Sequence, residues 1–282
     1  MPGVDLDEYR RESLASWETM AAGWERARER IEETAAPVRE WLLRELRPQR
    51  GDTVLELAAG PGETGFAAAA LVGEEGRVLS SDRSPAMVEV ARRRAAELGL
   101  RNVEHRVLDA EALELPDACV DGVVCRFAYM LLADPARAFA ETRRVLRSGG
   151  RLALAVWREA ERNPWVSISG RMLLARGHLP PPAPGAPGMF ALASEERLRA
   201  LLAASGFGHV RCEDVPVLFV YRDVDEYVAR SRETGGIFRR VFDELPAEER
   251  ASLTAELAAA FEPFAADGRI ELPGLALCAV AS

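Results

Sequence analysis

Cysteine and histidine are scarce: four and three among 282 residues, with no C-x-x-C pair, no H-x-x-x-H and no Cys/His cluster. A structural zinc site is therefore not indicated. Cys125 and Cys278 lie in apolar runs and read as core thiols, while Cys119 and Cys212 are scattered. Long apolar runs are lacking as well. No stretch is long and apolar enough to span a bilayer, and the opening MPGVDLDEYRRES has no segment of signal-peptide type. The expected setting is the reduced cytoplasm, with no membrane span. Positive charge is in deficit, 36 basic against 45 acidic residues, for a net charge of −9. An acidic surface repels phosphate backbones, which argues against nucleic acid as a partner unless a local basic patch overrides the average. The arginine cluster ARRRAAELG, Ala91 to Gly99, alternates with alanine in a helical pattern and reads as a solvated helix face. The remaining composition, 48% hydrophobic and 29% charged, can bury a sizeable core.

Residues 1–50 read as helical, in SLASWETMAAGWERARERIEE and APVREWLLRELRPQRGD, with Pro48 and Gly51 ending the region. The middle alternates short apolar runs with helical stretches, the mark of an α/β sheet with crossovers. Strands are expected at TVLELA, RVLSSD, VEHRVLD, VDGVVCRF and RLALAVW, and helices at about 64–72, 85–98 and 135–147. Ser84-Pro85 is a helix start and Gly99 a helix end. RSGGRL, Arg147 to Leu152, reads as a turn launching the next strand. After Trp157 the regularity breaks. HLPPPAPGAPGMF, His178 to Phe190, holds five of seventeen prolines and is expected to be an ordered surface loop or lid. Then follow a capped helix ending at Gly206, a strand HVRCEDVPVLFVY, helical patterns to about 265 and a final strand in GRIELPGLALCAVAS.

The stretch TVLELAAGPGETGFAAAA, Thr53 to Ala70, reads as strand, glycine turn and helix start, and Gly60, Gly62 and Gly65 satisfy G-x-G-x-x-G. Glu56 occupies a strand position just before the turn, where a buried carboxylate is expensive unless something donates to it. Asp82 ends the second strand, placed to accept both hydroxyls of a ribose. A nucleoside is therefore expected, as a dinucleotide or as S-adenosylmethionine. Pyrophosphate settles on bare amides at a helix N-terminus, and here Glu63 puts a negative group at that corner. Glu56 is also out of place for a nicotinamide site, whereas an ammonium and a sulfonium suit nearby carboxylates. Asp109-Ala110, after the third strand, could receive the adenine amine and ring edge. The residues favour the methyl donor over NAD.

Glu56 to Gly62 resembles motif I of the class I S-adenosylmethionine-dependent methyltransferases. SSDRSPAMVEVAR resembles their ribose-binding strand end, and HRVLDAEALELPD through RLALAVW resembles the later motifs, over roughly 51–157. In style the chain is most similar to the ubiquinone/menaquinone-biosynthesis branch. The resemblance implies that Glu56 organises the turn, and that Ala58, Gly60 and Gly62 give backbone contact to the methionine part. It implies that Asp82 binds the ribose hydroxyls, that Arg83 and Met87 flank the adenine, and that Asp109 and the Ala110 amide meet its amine and ring. Cys125 and Arg126 would face the methionyl group and the reacting sulfur. One position departs from the family, which has glycine where this chain has Ala58.

Methyl transfer is an in-line displacement that needs alignment and exclusion of water, and a base only if the nucleophile carries a proton. The candidate catalytic side chains are His178, beside the proline-rich segment, and Tyr129, past the fourth strand; His105 and His209 read as structural. Trp17, Met20 and Trp24 recur at helical spacing, as a packing stripe or as a helix closing over the donor. Glu159 and Asn163-Pro164-Trp165 emerge at the carboxyl edge, where ligands bind in open α/β sheets. The expected fold is α/β: a Rossmann-like, seven-stranded, mostly parallel sheet with helices on both faces. It has an N-terminal helical cap at 1–50, the cofactor-binding core at 51–157, and an insertion or lid at 158–193. The remainder, 194–282, completes the core and carries a helical substrate lid at about 222–266. The expected activity is methylation of a small, partly apolar molecule at O, N or C, with no metal. A homodimer is compatible with this reading. The rival readings are a non-catalytic cofactor-binding protein of the same fold and an NAD-dependent oxidoreductase.

Overall fold

Asp5 starts the first element, its side chain accepting from the amides of Asp7 (2.9 Å) and Glu8 (3.0 Å). In the computed structural model, which describes residues 5–181, 183 and 185–282, helix α1 then runs unbroken from Leu6 to Leu46. The N-terminal reading at 1–4, and Pro182 and Pro184 of the proline-rich segment, lie outside the described residues. The two helical stretches expected at the N-terminus are thus one helix that passes through Pro37. Proline there removes one donor to the carbonyl of Glu33. Both residues are exposed, so water can replace the bond.

The alternating middle follows the expected order. It comprises β1 (Thr53–Leu57), α2 (Glu63–Val72), β2 (Arg77–Asp82), α3 (Pro85–Glu97), β3 (Val103–Val107), β4 (Val120–Arg126), α4 (Pro135–Val145) and β5 (Leu146–Trp157). α5 (Pro164–Ala175), α6 (Glu195–Ala204), β6 (Val210–Tyr221), α7 (Val224–Thr234), α8 (Gly236–Glu244), α9 (Ala247–Phe261), β7 (Ala265–Ala266) and β8 (Arg269–Ala281) complete the chain. The sheet order is β3-β2-β1-β4-β5-β8-β6, with the two-residue β7 paired to β8 off that path. β1 to β5 are parallel, and β8 enters antiparallel between β5 and β6. The chain winds outward from β1 to β3, then returns to β4 on the other side of β1. The crevice at that reversal is where such sheets bind ligands.

Two readings need correction. The turn expected at Arg147–Leu152 is part of β5, which pairs Leu146 with Val120 and then Arg151 with Gly122, a bulge in the ladder. The irregular insertion expected at 158–193 contains a full helix, α5. Asn163-Pro164 carries the same kind of start signal as Ser84-Pro85, although in the fold Asn163 does not cap the helix with its side chain. The expected lid at 222–266 consists of α7, α8 and α9.

Two hydrophobic clusters divide the interior. The main one packs Val38, Trp41 and Leu42 of α1 against the sheet. The β6–β8 ladder continues past Ala276, where β5 ends, as far as Tyr221 opposite Ile270. That projecting ribbon carries the second cluster, which joins Leu173 of α5, Tyr227 of α7, Phe242 of α8 and Leu257 of α9 to Tyr221 and Leu272. Among the described residues, no helix is long and apolar enough to cross a membrane.

Candidate functional site

The turn after β1 is held from below. Glu56 is 3% exposed, and its Oε1 accepts the Gly65 amide at 2.8 Å while Ser80 Oγ donates to Oε2 at 3.3 Å. Gly62, the N-cap of α2, contributes no side-chain cap, so the Glu56 carboxylate reaches up from the strand to take a first-turn amide. A Cβ on Gly65 would stand 2.2 Å from Glu56 Oε2. The third glycine of the motif therefore makes room for a carboxylate within the protein. Glu63, expected to guard this corner, turns aside to Arg94 at 3.2 Å; the acid at the helix end is Glu56. Burial pushes the Glu56 carboxyl up to about 8, against the lowering influence of the Gly65 amide and the Arg126 charge. The main chain above it is left-handed at Ala58 (φ 50°), Gly60 (φ 54°) and Gly62 (φ 92°), and a Cβ on Gly60 would meet nothing within 4 Å. Space is open beside Gly60.

Asp82 ties the ends of β1 and β2 together. Its Oδ2 accepts the Gly60 amide at 3.0 Å and its Oδ1 the Ser84 amide at 2.9 Å, and burial pushes its carboxyl up. Each oxygen keeps further acceptor capacity. Arg83 lies 3.3 Å from Asp109 Oδ2 and donates to the carbonyl of Arg10 at 3.1 Å. Asp109 Oδ1 accepts the Glu111 amide at 2.9 Å, and Ala110 is half-buried against the main core. Met87 is 1% exposed, packed with Ala21 of α1 and bordered by Trp17 and Trp24. α1 thus lies over this edge. Arg10 pairs with Glu111 at 2.6 Å, Tyr9 Oη donates to the Leu131 carbonyl at 2.7 Å, and Glu18 accepts from Ser84 Oγ and from the Ala86 amide.

On the other side of β1, Cys125, next to last in β4, pairs with Leu57, its thiol buried and pushed up to about 12. Arg126 donates to Glu32 of α1 at 2.9 Å, and Glu32 also receives Arg39. Glu56, Asp82, Arg83, Asp109, Cys125 and Arg126 therefore gather at the carboxyl ends of the parallel strands, with α1 alongside. The two catalytic expectations do not join them. Tyr129 is fully buried, stacked on Phe139 at 4.2 Å, with its hydroxyl 2.6 Å from Thr142 Oγ1. Its position is structural. His178 follows α5 and lies 2.7 Å from Glu249 of α9, where Arg176 also bonds Ser252 and Glu256. It fastens two helices. His105 is held down by burial on β3, and the backbone of His209 pairs with Ser282.

One feature went unanticipated. Phe127 stacks on Trp157 (4.0 Å, 7°), Trp157 meets the edge of Trp165 (5.1 Å), and Trp165 stacks on Phe219 (4.1 Å, 17°). Of these only Trp165 stood out in the sequence. The positions of Phe127 and Trp157 at strand carboxyl ends were the available signal.

Residues 48–173 match a family model described as a methyltransferase domain. Aklanonic acid methyltransferase DauC of Streptomyces sp. strain C5 is 39% identical over 106 residues, 38% of this chain and 48% of that protein. The ubiquinone/menaquinone biosynthesis C-methyltransferase UbiE of Francisella philomiragia is 36% identical over 105 residues, 37% of this chain and 42% of that protein. The chain thus spans about half the length, or less, of these relatives. Among solved structures, a SAM-dependent methyltransferase from Aquifex aeolicus superposes with a TM-score of 0.50 at 27% identity, covering 63% of this chain and 83% of that one.

Proposed function

We propose, from the premise that residues 48–173 belong to the class I S-adenosylmethionine-dependent methyltransferases, that the chain methylates a small, partly apolar molecule. The observation that carries the reading is Glu56 on the N-terminus of α2. A pyrophosphate needs those amides bare; a cationic ligand without phosphate does not. The carboxylates of Asp82 and Asp109 and the open space beside Gly60 fit the same ligand.

When bound, S-adenosylmethionine supplies a methyl group on a sulfonium leaving group. Asp82 would accept the ribose hydroxyls, and Asp109 the adenine amine, with Ala110 beside the ring. Arg83, fixed by Asp109, and Met87, sealed by α1, would border the adenine end. Ala58, Gly60 and Gly62 would offer main-chain groups to the methionine part. Arg126 stands at the reacting end with its charge balanced by Glu32. Cys125 stays protonated at neutral pH because its thiol is pushed up to about 12, so it does not compete as a nucleophile. α1 lies over the edge at Met87, held by Arg10 on Glu111 and Glu18 on Ser84, and would shield a bound donor from water on that side, which strengthens electrostatic contacts.

The test is calorimetric titration of the protein with S-adenosylhomocysteine, S-adenosylmethionine and NADH, repeated on Asp82→Asn. Micromolar binding of the first two, weakened at least tenfold in the variant, supports the reading. Preference for NADH, or no binding, overturns it. Tight binding of the methyl donor with no transfer to any of a broad acceptor panel favours a non-catalytic binding protein instead.

A further inference from the structure

We propose that Phe127, Trp157, Trp165 and Phe219 form the acceptor subsite, and that it takes a flat, π-rich ring system. The inference depends on the methyl-transfer reading for what happens to the bound ring, but its binding claim stands by itself.

The strand register sets the geometry. Glu56 pairs with Val124, Arg126 with Ala155, Trp157 with Ala276, Ala276 with Val215, and Phe219 with Leu272. Side chains alternate along each strand, so Glu56, Arg126, Trp157 and Phe219 share one face of the sheet. The aromatic strip therefore begins beside Arg126, at the crevice, and runs across β5 toward the projecting ribbon.

Three properties separate this strip from ordinary core packing. The first is exposure. Rings that serve only the core, such as Tyr129 at 0%, Phe139 at 0% and Phe261 at 1%, are sealed; Trp157 is also buried, as the floor of the strip, whereas Phe127, Trp165 and Phe219 remain half-buried, the last two between the two hydrophobic clusters. The second is strain. Phe127 holds a left-handed backbone at φ 63°, an outlier for a bulky side chain, and such residues gather at ligand sites. The third is orientation. Trp165 Nε1 donates to Asn163 Oδ1 at 3.2 Å, and the same oxygen accepts the Leu275 amide at 3.0 Å. Asn163 is fully buried and spends its own amide on the carbonyls of Arg158, Glu159 and Leu275. The polar atom of the indole is thus turned inward, and its carbon surface faces the seam. Gly274 keeps the strip clear, since a Cβ there would stand 3.2 Å from Trp165 and 3.1 Å from Phe219. Phe127 and Trp157 stack on each other, as do Trp165 and Phe219, so what the strip offers a ligand is the outer, half-buried surface of Phe127, Trp165 and Phe219, and a flat ring laid offset on aromatic surface gains more than a flexible alkyl chain does.

The test compares two probes of equal carbon number. The full chain, with and without saturating S-adenosylhomocysteine, is titrated calorimetrically with 2-naphthol and with its saturated analogue decahydro-2-naphthol. We expect 2-naphthol to bind at least tenfold tighter. Trp165→Leu should weaken it at least tenfold and Phe219→Leu several-fold, with the affinity for S-adenosylhomocysteine changed less than twofold. Equal affinity for the two probes, no 2-naphthol binding up to its solubility, or unchanged affinity in both folded variants overturns the proposal. The wild-type comparison decides even if a variant misfolds. Failure of S-adenosylhomocysteine to bind while the tenfold preference persists would remove the methyl-transfer reading and leave the subsite standing.

Discussion

Two regions of the sheet present different kinds of surface at the carboxyl ends of their strands. Around the crevice between β1 and β4 the surface is made of main-chain amides and carboxylates drawn from one stretch, Glu56 to Asp109. Around β5, β8 and β6 it is made of large rings from β6, α5 and the ends of β4 and β5, kept apart in the sequence from Phe127 to Phe219. Main-chain geometry tolerates few substitutes, because a left-handed turn needs glycine or a strained residue and an amide needs a fixed acceptor. A wall of rings can be assembled from many combinations of residues. The first kind of surface can therefore be read as a contiguous motif, and the second cannot.

The largest expected effect breaks the first site at its tightest point. In Gly65→Ala the new Cβ meets Glu56 Oε2 at 2.2 Å and Cδ at 2.9 Å, so a buried carboxylate must leave the amide that satisfies it. We expect a loss of about 3 kcal/mol in urea unfolding, with weaker binding of S-adenosylhomocysteine. Gly274→Ala is the matched change in the second site. Its Cβ meets Val217 at 2.8 Å and the ring edges of Phe219 and Trp165, which can tilt. About 1 kcal/mol is expected, with 2-naphthol binding altered and S-adenosylhomocysteine binding kept. A larger loss for Gly274→Ala than for Gly65→Ala would invert the comparison.

Next comes the charge of Glu56. Its carboxyl is pushed from 4.5 to about 8 in the folded protein, so the native state holds a proton that the unfolded chain has released. Stability is then greatest below the unfolded value and falls as pH rises through the folded one. Between about pH 6 and pH 8 the decline should be on the order of 2 kcal/mol. Glu56→Gln stays neutral throughout, so its urea midpoint should lose that slope. An unchanged slope in the variant would assign the decline to another group.

This contrast also explains what could be read from the chain alone. The parallel half of the sheet was legible because each strand and helix has its own pattern and caps, as at Ser84-Pro85, and because Glu56 to Gly62 is a contiguous signature. The reason for Gly65 was not legible. The motif suggests a phosphate, and only the fold shows that the glycine clears Glu56. Helix α5 had a start signal in Asn163-Pro164, but the role of Asn163 did not show, because its side chain bonds Leu275, which is distant in sequence, and leaves the helix uncapped. Tyr129 and His178 are candidates in the sequence because one lies just past the fourth strand and the other beside the proline-rich segment. Their partners, Thr142 and Glu249, are set by packing and leave no local trace.

Those two residues supply a smaller test. Tyr129→Phe removes a buried hydroxyl from Thr142, which keeps its bond to the Ala138 carbonyl. The expected loss is about 1 kcal/mol in thermal or urea unfolding, with methyl-donor binding unchanged. His178→Gln should leave turnover within twofold once an acceptor is in hand. A hundredfold fall in kcat for either variant would return it to the chemistry.

The smallest effect concerns the departure at Ala58. With φ at 50° this alanine occupies the left-handed region, where a Cβ crowds the following carbonyl by about 1 kcal/mol. Glycine relieves that crowding but gives the unfolded chain more freedom to lose, which offsets part of the gain. The net expectation for Ala58→Gly is about 0.5 kcal/mol of added stability in urea unfolding. Binding should separate two accounts of the position. If the methyl only strains the turn, affinity for S-adenosylhomocysteine stays the same or rises slightly. If affinity falls several-fold, the exposed methyl of Ala58 contacts the ligand, and the turn here supplies a side-chain contact that glycine could not.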